Sequence, residues 1–209
     1  MDYAIPMVFP DYLIMVAQLK KREIDLVPWV DFDNVRIRDS KVKVPELGHA
    51  SVMIINGGSG LTRYFEYGRY DKQNKGLVRI VKVPDVKVTG GKPDWKTLKA
   101  PLARVSKVAG QGGRIEAVLI EVDGKFPAMQ KYAAGRLKEN SNPKRVPYHL
   151  LNNSCVHFAR DVVDAAGADT PWMLDPRPNS YIGEFQSKYP DLSYQPRGGN
   201  LVIEGVGSF

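Results

Sequence analysis

Cysteine is almost absent from this chain: Cys155 is the only one in 209 residues. A disulfide framework within the chain is therefore excluded, and the fold must be held by its core. Histidine is scarce as well. His49, His149 and His157 are scattered, so the chain offers no His/Cys spacing for a metal, and no cofactor is expected. No apolar run approaches the length that crosses a bilayer, so no transmembrane segment is expected. The N-terminus does not read as a cleaved secretory signal. Asp2 stands where positive charge belongs, and Pro6, Pro10 and Asp11 interrupt the apolar stretch. Secretion, if it occurs, is expected to use a route without a cleaved signal peptide. The Gly57-Gly58-Ser59-Gly60 run lacks the Lys-Ser/Thr of a phosphate loop, and there is no Gly-x-Ser-x-Gly elbow. Repeats and low-complexity segments are missing too.

What is present suits one globular domain. Hydrophobic residues make up 43% of the chain and charged residues 25%, enough for a sizeable core with an ordinary polar surface. The net charge of +7 favours anionic partners such as an acidic cell wall. The lysines and arginines are dispersed, and no zinc-finger or RNA-binding signature accompanies them, so nucleic acid is not an expected partner.

Residues 1–47 mix apolar and charged pieces between Pro6, Pro10, Pro28 and Pro45, which forbid one long helix. They read as an N-terminal arm that packs on the domain or links it to a partner. Asp11–Lys20 suits a short helix or a strand, and Val35–Arg38 and Val42–Val44 alternate as edge strands do. From residue 48 the pattern sharpens. Ala50–Ile55 and Leu61–Tyr67 are β-rich runs joined by Asn56-Gly57-Gly58-Ser59-Gly60, a hairpin signal. Leu77–Val83 is a third strand and Arg114–Val122 another. Leu98, Leu102, Val105 and Ala109 share one face of a helix over Trp95–Ala109. Further helices are expected over Pro127–Lys138, from Cys155 to about Ala166, and near Tyr181–Lys188. Leu201–Glu204 reads as a last strand.

The chain is organised around Asn152–Arg160. Asn153 or Ser154 can cap the following helix, accepting a bond from an otherwise unpaired N–H. Phe158, Ala159 and Val162 stand three, four and seven residues after Cys155, so the thiol lies on the apolar face. A thiol at a helix N-terminus feels the positive end of the dipole, which favours thiolate. The stretch by itself fits either a nucleophile or a buried structural cysteine. A nucleophile needs a base and a group that orients it. His157 is two residues on and lies on the far side of the helix, an expected exposed or half-buried surface position. His149 has a local packing or loop role. His49, at the mouth of a strand after a glycine, can face an open site edge, as a base or as a structural residue. Glu66 on the paired strand is the candidate orienting group. If Asn56 pairs with Leu61, Glu66 falls opposite Ser51 on the side of His49; a shift by one residue brings Tyr67 there instead. Asp71 in the next loop is a further alternative.

Ser154-Cys155-Val156-His157-Phe158-Ala159 resembles the cysteine motif of NlpC-type papain-like peptidases, with an aromatic residue three positions after a helix-N-terminal cysteine. Gly48-His49-Ala50 to Ile55, with its turn and second strand, resembles their histidine-bearing hairpin. The order along the chain is reversed, as in circularly permuted members. More narrowly, Gly48-His49-Ala50, Tyr64-Phe65-Glu66-Tyr67-Gly68-Arg69-Tyr70-Asp71 and Asn152-Asn153-Ser154-Cys155, together with Phe9-Pro10-Asp11-Tyr12, resemble a set of type VI secretion effectors that attack peptidoglycan.

The resemblance implies an α+β, permuted papain-like hydrolase domain over residues 48–209, with a central antiparallel sheet packed against the cysteine helix. It implies Cys155 as nucleophile, His49 as general base and acid, and Glu66 as the third residue. Ser154 stands where many relatives have Asp. Tyr148 matches a tyrosine that lines the site in the family, and Tyr148, Ser154 and Tyr67 are the implied substrate or oxyanion contributors. The implied activity is a cysteine amidase or endopeptidase that cleaves peptidoglycan in the periplasm of target bacteria. An immunity protein and a secretion-apparatus delivery partner come with it. The alternatives are a permuted lipid esterase or acyltransferase of the lecithin retinol acyltransferase-like type, with Trp172-Met173-Leu174 lining a groove, and a non-catalytic binding module that keeps the fold.

Overall fold

A computed structural model describes residues 1–15, 41–42, 48–71, 73, 75–173 and 175–209. The expected strand Val35–Arg38, residues 16–20 of Asp11–Lys20, Lys43, Val44 and Leu174 lie outside the described residues. In chain order the strands are β1 (Asp2–Phe9), β2 (Ile14–Met15), β3 (Lys41–Val42), β4 (His49–Ile55), β5 (Thr62–Gly68), β6 (Leu77–Val81), β7 (Val88–Thr89), β8 (Lys92–Pro93), β9 (Ile115–Val118), β10 (Ile120–Val122), β11 (Asp191–Gln195), β12 (Asn200–Ile203) and β13 (Gly207–Ser208). The helices among the described residues are α1 (Lys99–Val108), α2 (Phe126–Lys138), α3 (Cys155–Asp164) and α4 (Pro178–Gln186).

The main sheet runs β13-β12-β11-β9-β1-β4-β5-β6, with β10 also on β1, and its pairings are antiparallel. Alternation along each strand feeds two core layers. Ala4, Val8, Val52, Ile54 and Phe65 pack under α2, α3 and α4 with Met129, Phe158, Val162 and Phe185. Ile5, Met7, Met53, Ile55 and Tyr64 face the other way, against Leu98, Leu102 and Val105 of the α1 region. The chain is thus a mixed α+β protein with a sheet covered on both sides.

Residues 2–9 lie within the segment read as an arm that packs on the domain or links it to a partner. They form β1, buried along its whole length between β4 and the β9–β10 pair. Pro6 concealed the strand, because proline gives no N–H to a ladder. The structure accommodates it with a break. β9 pairs Met7 and Val8, β10 pairs Asp2–Ala4, and Leu119 between them turns its N–H to Pro190 O at 3.0 Å. The one expected strand over Arg114–Val122 is therefore two. Asp2 ties this end together: its carboxylate accepts from Gly57 N at 3.1 Å and from Phe126 N at 2.8 Å, holding a hairpin turn and the start of α2.

The hairpin register is settled by the turn. Asn56 N donates to Leu61 O at 2.9 Å, and Asn56 Oδ1 accepts from Ser59 N at 2.9 Å. Ser51 then pairs with Glu66. The carboxylate consequently shares a sheet face with His49, and Tyr67 points to the opposite, helix-covered layer.

Candidate active site

The site lies at the end of the sheet where β4 begins and β5 finishes. Gly48 enters β4 with φ of +43°, and Gly68 closes β5. α3 meets this end with its N-terminus. Ser154 is its N-cap: Ser154 N donates to His157 Nδ1 at 3.4 Å, and Ser154 Oγ lies 2.8 Å from the same nitrogen. These two bonds correct the expected surface position of His157. The ring is only 8% exposed, because it folds back over the first turn to finish the cap. His149 has the expected local role, its Nδ1 accepting from Leu151 N at 3.3 Å in the loop before α3.

Cys155, at the first position of α3, is 4% exposed and faces His49. Burial opposes ionisation of the thiol. Interaction with the His49 ring, the Ala50 backbone N–H and the Tyr148 hydroxyl outweighs it, and the thiol titrates below its ordinary range. Tyr148 Oη lies 3.6 Å from Cys155 Sγ and accepts from Cys155 N at 3.5 Å. Burial also works against a charged imidazole at His49. Hydrogen bonding to Cys155 and Glu66 reverses that effect and pushes His49 up to about 10. Both shifts run toward the charged form of each group.

His49 Nε2 lies 3.3 Å from Glu66 Oε2 and 3.0 Å from the Tyr70 hydroxyl oxygen. The ring also packs between Phe9 and Tyr12, at centroid distances of 6.2 and 5.1 Å. Glu66 is 1% exposed. Burial raises a carboxyl pKa, yet the bond and charge of His49, the nearby Arg79 and the Tyr64 hydroxyl hold Glu66 below its ordinary value. Tyr64 Oη donates to Glu66 Oε2 at 3.2 Å.

Cys155, His49 and Glu66 are therefore brought together across more than a hundred residues. The other candidates are placed differently. The Ser154 hydroxyl is committed to the helix cap. Tyr67 sits behind Tyr148, ring centroids 5.4 Å apart, its hydroxyl accepting from Asn153 Nδ2 at 3.1 Å. Asp71 staples its own loop, accepting from Gly76 N at 2.9 Å and pairing with Arg145 at 3.1 Å.

The site opens to a cleft of about 320 Å³, whose walls include His49, Tyr148 and Cys155. Arg69, Tyr70, Arg79 and Tyr12 also line it, and sequence reasoning did not single them out. Arg69 and Tyr70 stand in the Glu66–Asp71 run and follow from its register; Arg79 could be found only through strand pairing, opposite Glu66 on β6. Gln111 clamps the far wall from a left-handed backbone (φ 57°), accepting from Leu13 N at 3.0 Å and donating to Leu13 O at 3.0 Å.

A sequence model of the family described as type VI secretion system effector TseH-like matches residues 4–170. The chain belongs to the TseH-like family of type VI secretion effectors. The crystal structure of the type VI secretion system effector TseH agrees: it is 34% identical in sequence, with a TM-score of 0.75 over 97% of this chain and 97% of that one. No curated protein matches the chain. As a TseH-like effector, the chain is a secreted protein by family, and its site is part of a fold shared along nearly the whole length of TseH.

Proposed function

We propose that this TseH-like effector is a cysteine amidase or endopeptidase that cleaves peptide bonds of bacterial peptidoglycan. The observation that carries the reading is the series Cys155–His49–Glu66 at the edge of an open cleft, with sulfur and imidazole perturbed in opposite directions. In this reading the domain is a permuted papain-like fold of NlpC type, and the histidine-before-cysteine order supports it.

The thiolate of Cys155 attacks the amide carbonyl, forming the S–C bond. The developing oxyanion is met by the Cys155 N–H at the start of α3, with the Tyr148 hydroxyl beside it. His49 gives its Nδ1 proton to the departing amine as the C–N bond breaks, leaving a thioester. The now neutral His49 takes a proton from water. The hydroxide adds to the thioester, and loss of the sulfur releases the acid and restores the ion pair. Glu66 keeps Nε2–H oriented and offsets the imidazolium charge throughout. The net charge of +7 favours approach to an anionic wall. An antibacterial effector of this kind acts in the target periplasm and requires an immunity protein in its producer and a delivery partner.

The test is incubation with purified sacculi, followed by mass spectrometry of the soluble fragments. Wild-type protein is expected to release muropeptides with new amine termini. Cys155→Ala and His49→Ala are each expected to lower the rate by about 10³-fold or more. Undiminished release by either variant, or no release by the wild type, would sink the reading.

A further inference from the structure

The cleft beside Cys155 carries two guanidinium groups, Arg69 and Arg79, and no carboxylate among the described residues that line it. The two arginines differ. Arg69 is 9% exposed, and its guanidinium carbon stands 4.8 Å from the Tyr148 ring centre, so it braces the tyrosine. Arg79 rises from edge strand β6 with 46% of its side chain in solvent. Its Nε is 3.5 Å from Glu66 Oε1, and its guanidinium carbon is 4.3 Å from the Tyr70 ring centre. Both neighbours, Glu66 and Tyr70, contact His49 Nε2. Arg79 is thus held from two sides within the catalytic network while remaining open to the cleft. A guanidinium has five N–H donors in a rigid fork, and the contact of Arg79 with Glu66 is an ion pair through Nε at 3.5 Å. A side chain already fixed by stacking loses little further freedom when it captures a ligand.

We propose that Arg79 is the carboxylate-recognition point of this cleft: the substrate presents a free carboxylate close to the bond that Cys155 attacks, and Arg79 grips it bidentately. The turnover half of this inference rests on the cysteine-hydrolase reading; the binding half does not. Because Arg79 also neighbours Glu66, its replacement affects turnover of any substrate. The diagnostic quantity is therefore the ratio between acid and amide forms of one ligand.

The probes are a synthetic peptidoglycan stem peptide with free carboxyl groups and the same peptide with those groups amidated. Wild-type kcat/KM is expected to favour the acid by about 10-fold or more, as a charge-assisted bond does. Arg79→Gln is expected to bring the ratio to about one, mainly through KM, and Arg79→Lys to retain part of it. Calorimetric titration of Cys155→Ala, with and without Arg79→Gln, reads the same preference without chemistry. Equal or absent binding of both peptides by Cys155→Ala, or a preference that survives Arg79→Gln, would overturn the assignment. Acid-selective binding with no cleavage by the wild type would refute the hydrolase reading and leave Arg79 in its role.

Discussion

His49 and Glu66 meet through Nε2 and Oε2 at 3.3 Å, and the carboxylate that anchors this contact is 1% exposed. A buried carboxylate is tolerated when its charge is matched and its lone pairs are used. Here His49 supplies the match at Oε2, where the Tyr64 hydroxyl also donates, and Arg79 Nε stands 3.5 Å from Oε1 as an ion-pair contact. The pair is both a structural contact and the proposed source of a reactive thiolate.

Glu66→Gln keeps the shape and removes the charge. Without the carboxylate, the His49 pKa falls, the imidazolium supports the thiolate less, and the Cys155 pKa rises. Iodoacetamide labelling of Cys155 across pH is the measurement. The wild-type midpoint is expected below that of a free cysteine, about 8.5, and the variant midpoint above the wild type. Turnover is expected to drop by about 10²-fold or more. An unchanged labelling profile would show that Glu66 does not govern the pair.

Stability should follow the same protons. The folded chain binds the His49 proton more tightly than the unfolded chain, whose value is near 6.5, so this contribution is full below 6.5 and fades as pH rises through about 10. Glu66 has the opposite sign. Its pKa is lowered on folding, so its contribution is present above the ordinary carboxylate range and fades as pH falls through the depressed value. Urea midpoints measured from acid to alkaline pH are expected to fall at both ends, and Glu66→Gln is expected to flatten the acid limb.

Tyr148→Phe removes one hydroxyl that contacts both Cys155 Sγ and Cys155 N. The ring stays packed on Tyr67, so stability is expected to change by only about 1 kcal/mol. Turnover is expected to fall by roughly 10- to 100-fold, since the lost group stands beside the proposed oxyanion donor. Full activity in single-turnover assays would remove Tyr148 from the mechanism.

Gly48→Ala tests the entry to β4. A Cβ there would lie 2.5 Å from Asn179 Oδ1 and 2.9 Å from Phe9 O, on a backbone with φ of +43°. A loss of roughly 1–3 kcal/mol is expected, together with lower activity as His49 shifts. Thermal melting and turnover measured on one preparation check it; a variant as stable and as active as wild type would contradict the geometry.

Asp2→Ala leaves Gly57 N and Phe126 N without their acceptor in a buried corner. A destabilisation of about 2 kcal/mol is expected in urea unfolding. A midpoint equal to wild type would mean that β1 is held independently of this carboxylate.

The chain's local patterns fixed much of this architecture. The Asn56–Gly60 turn declared the hairpin, apolar spacing declared α1 and α3, and Asn153-Ser154 declared a cap, because each depends on neighbours a few residues apart. The resemblance to permuted peptidases directed attention to the pairing of His49 with Cys155. Four features needed the folded molecule. β1 was hidden because Pro6 contradicts a central strand, and only the break at Leu119 makes room for it. Glu66 rather than Tyr67 reaches His49 because one turn bond sets the register, and register changes by whole residues. His157 is buried rather than exposed because its ring closes the cap over Ser154. Arg79 joined the network only through strand pairing, opposite Glu66. Sequence determined most of the strands and helices, because those choices are largely local; tertiary structure decided the place of β1 and which side chains share the site, because these depend on contacts between residues distant along the chain.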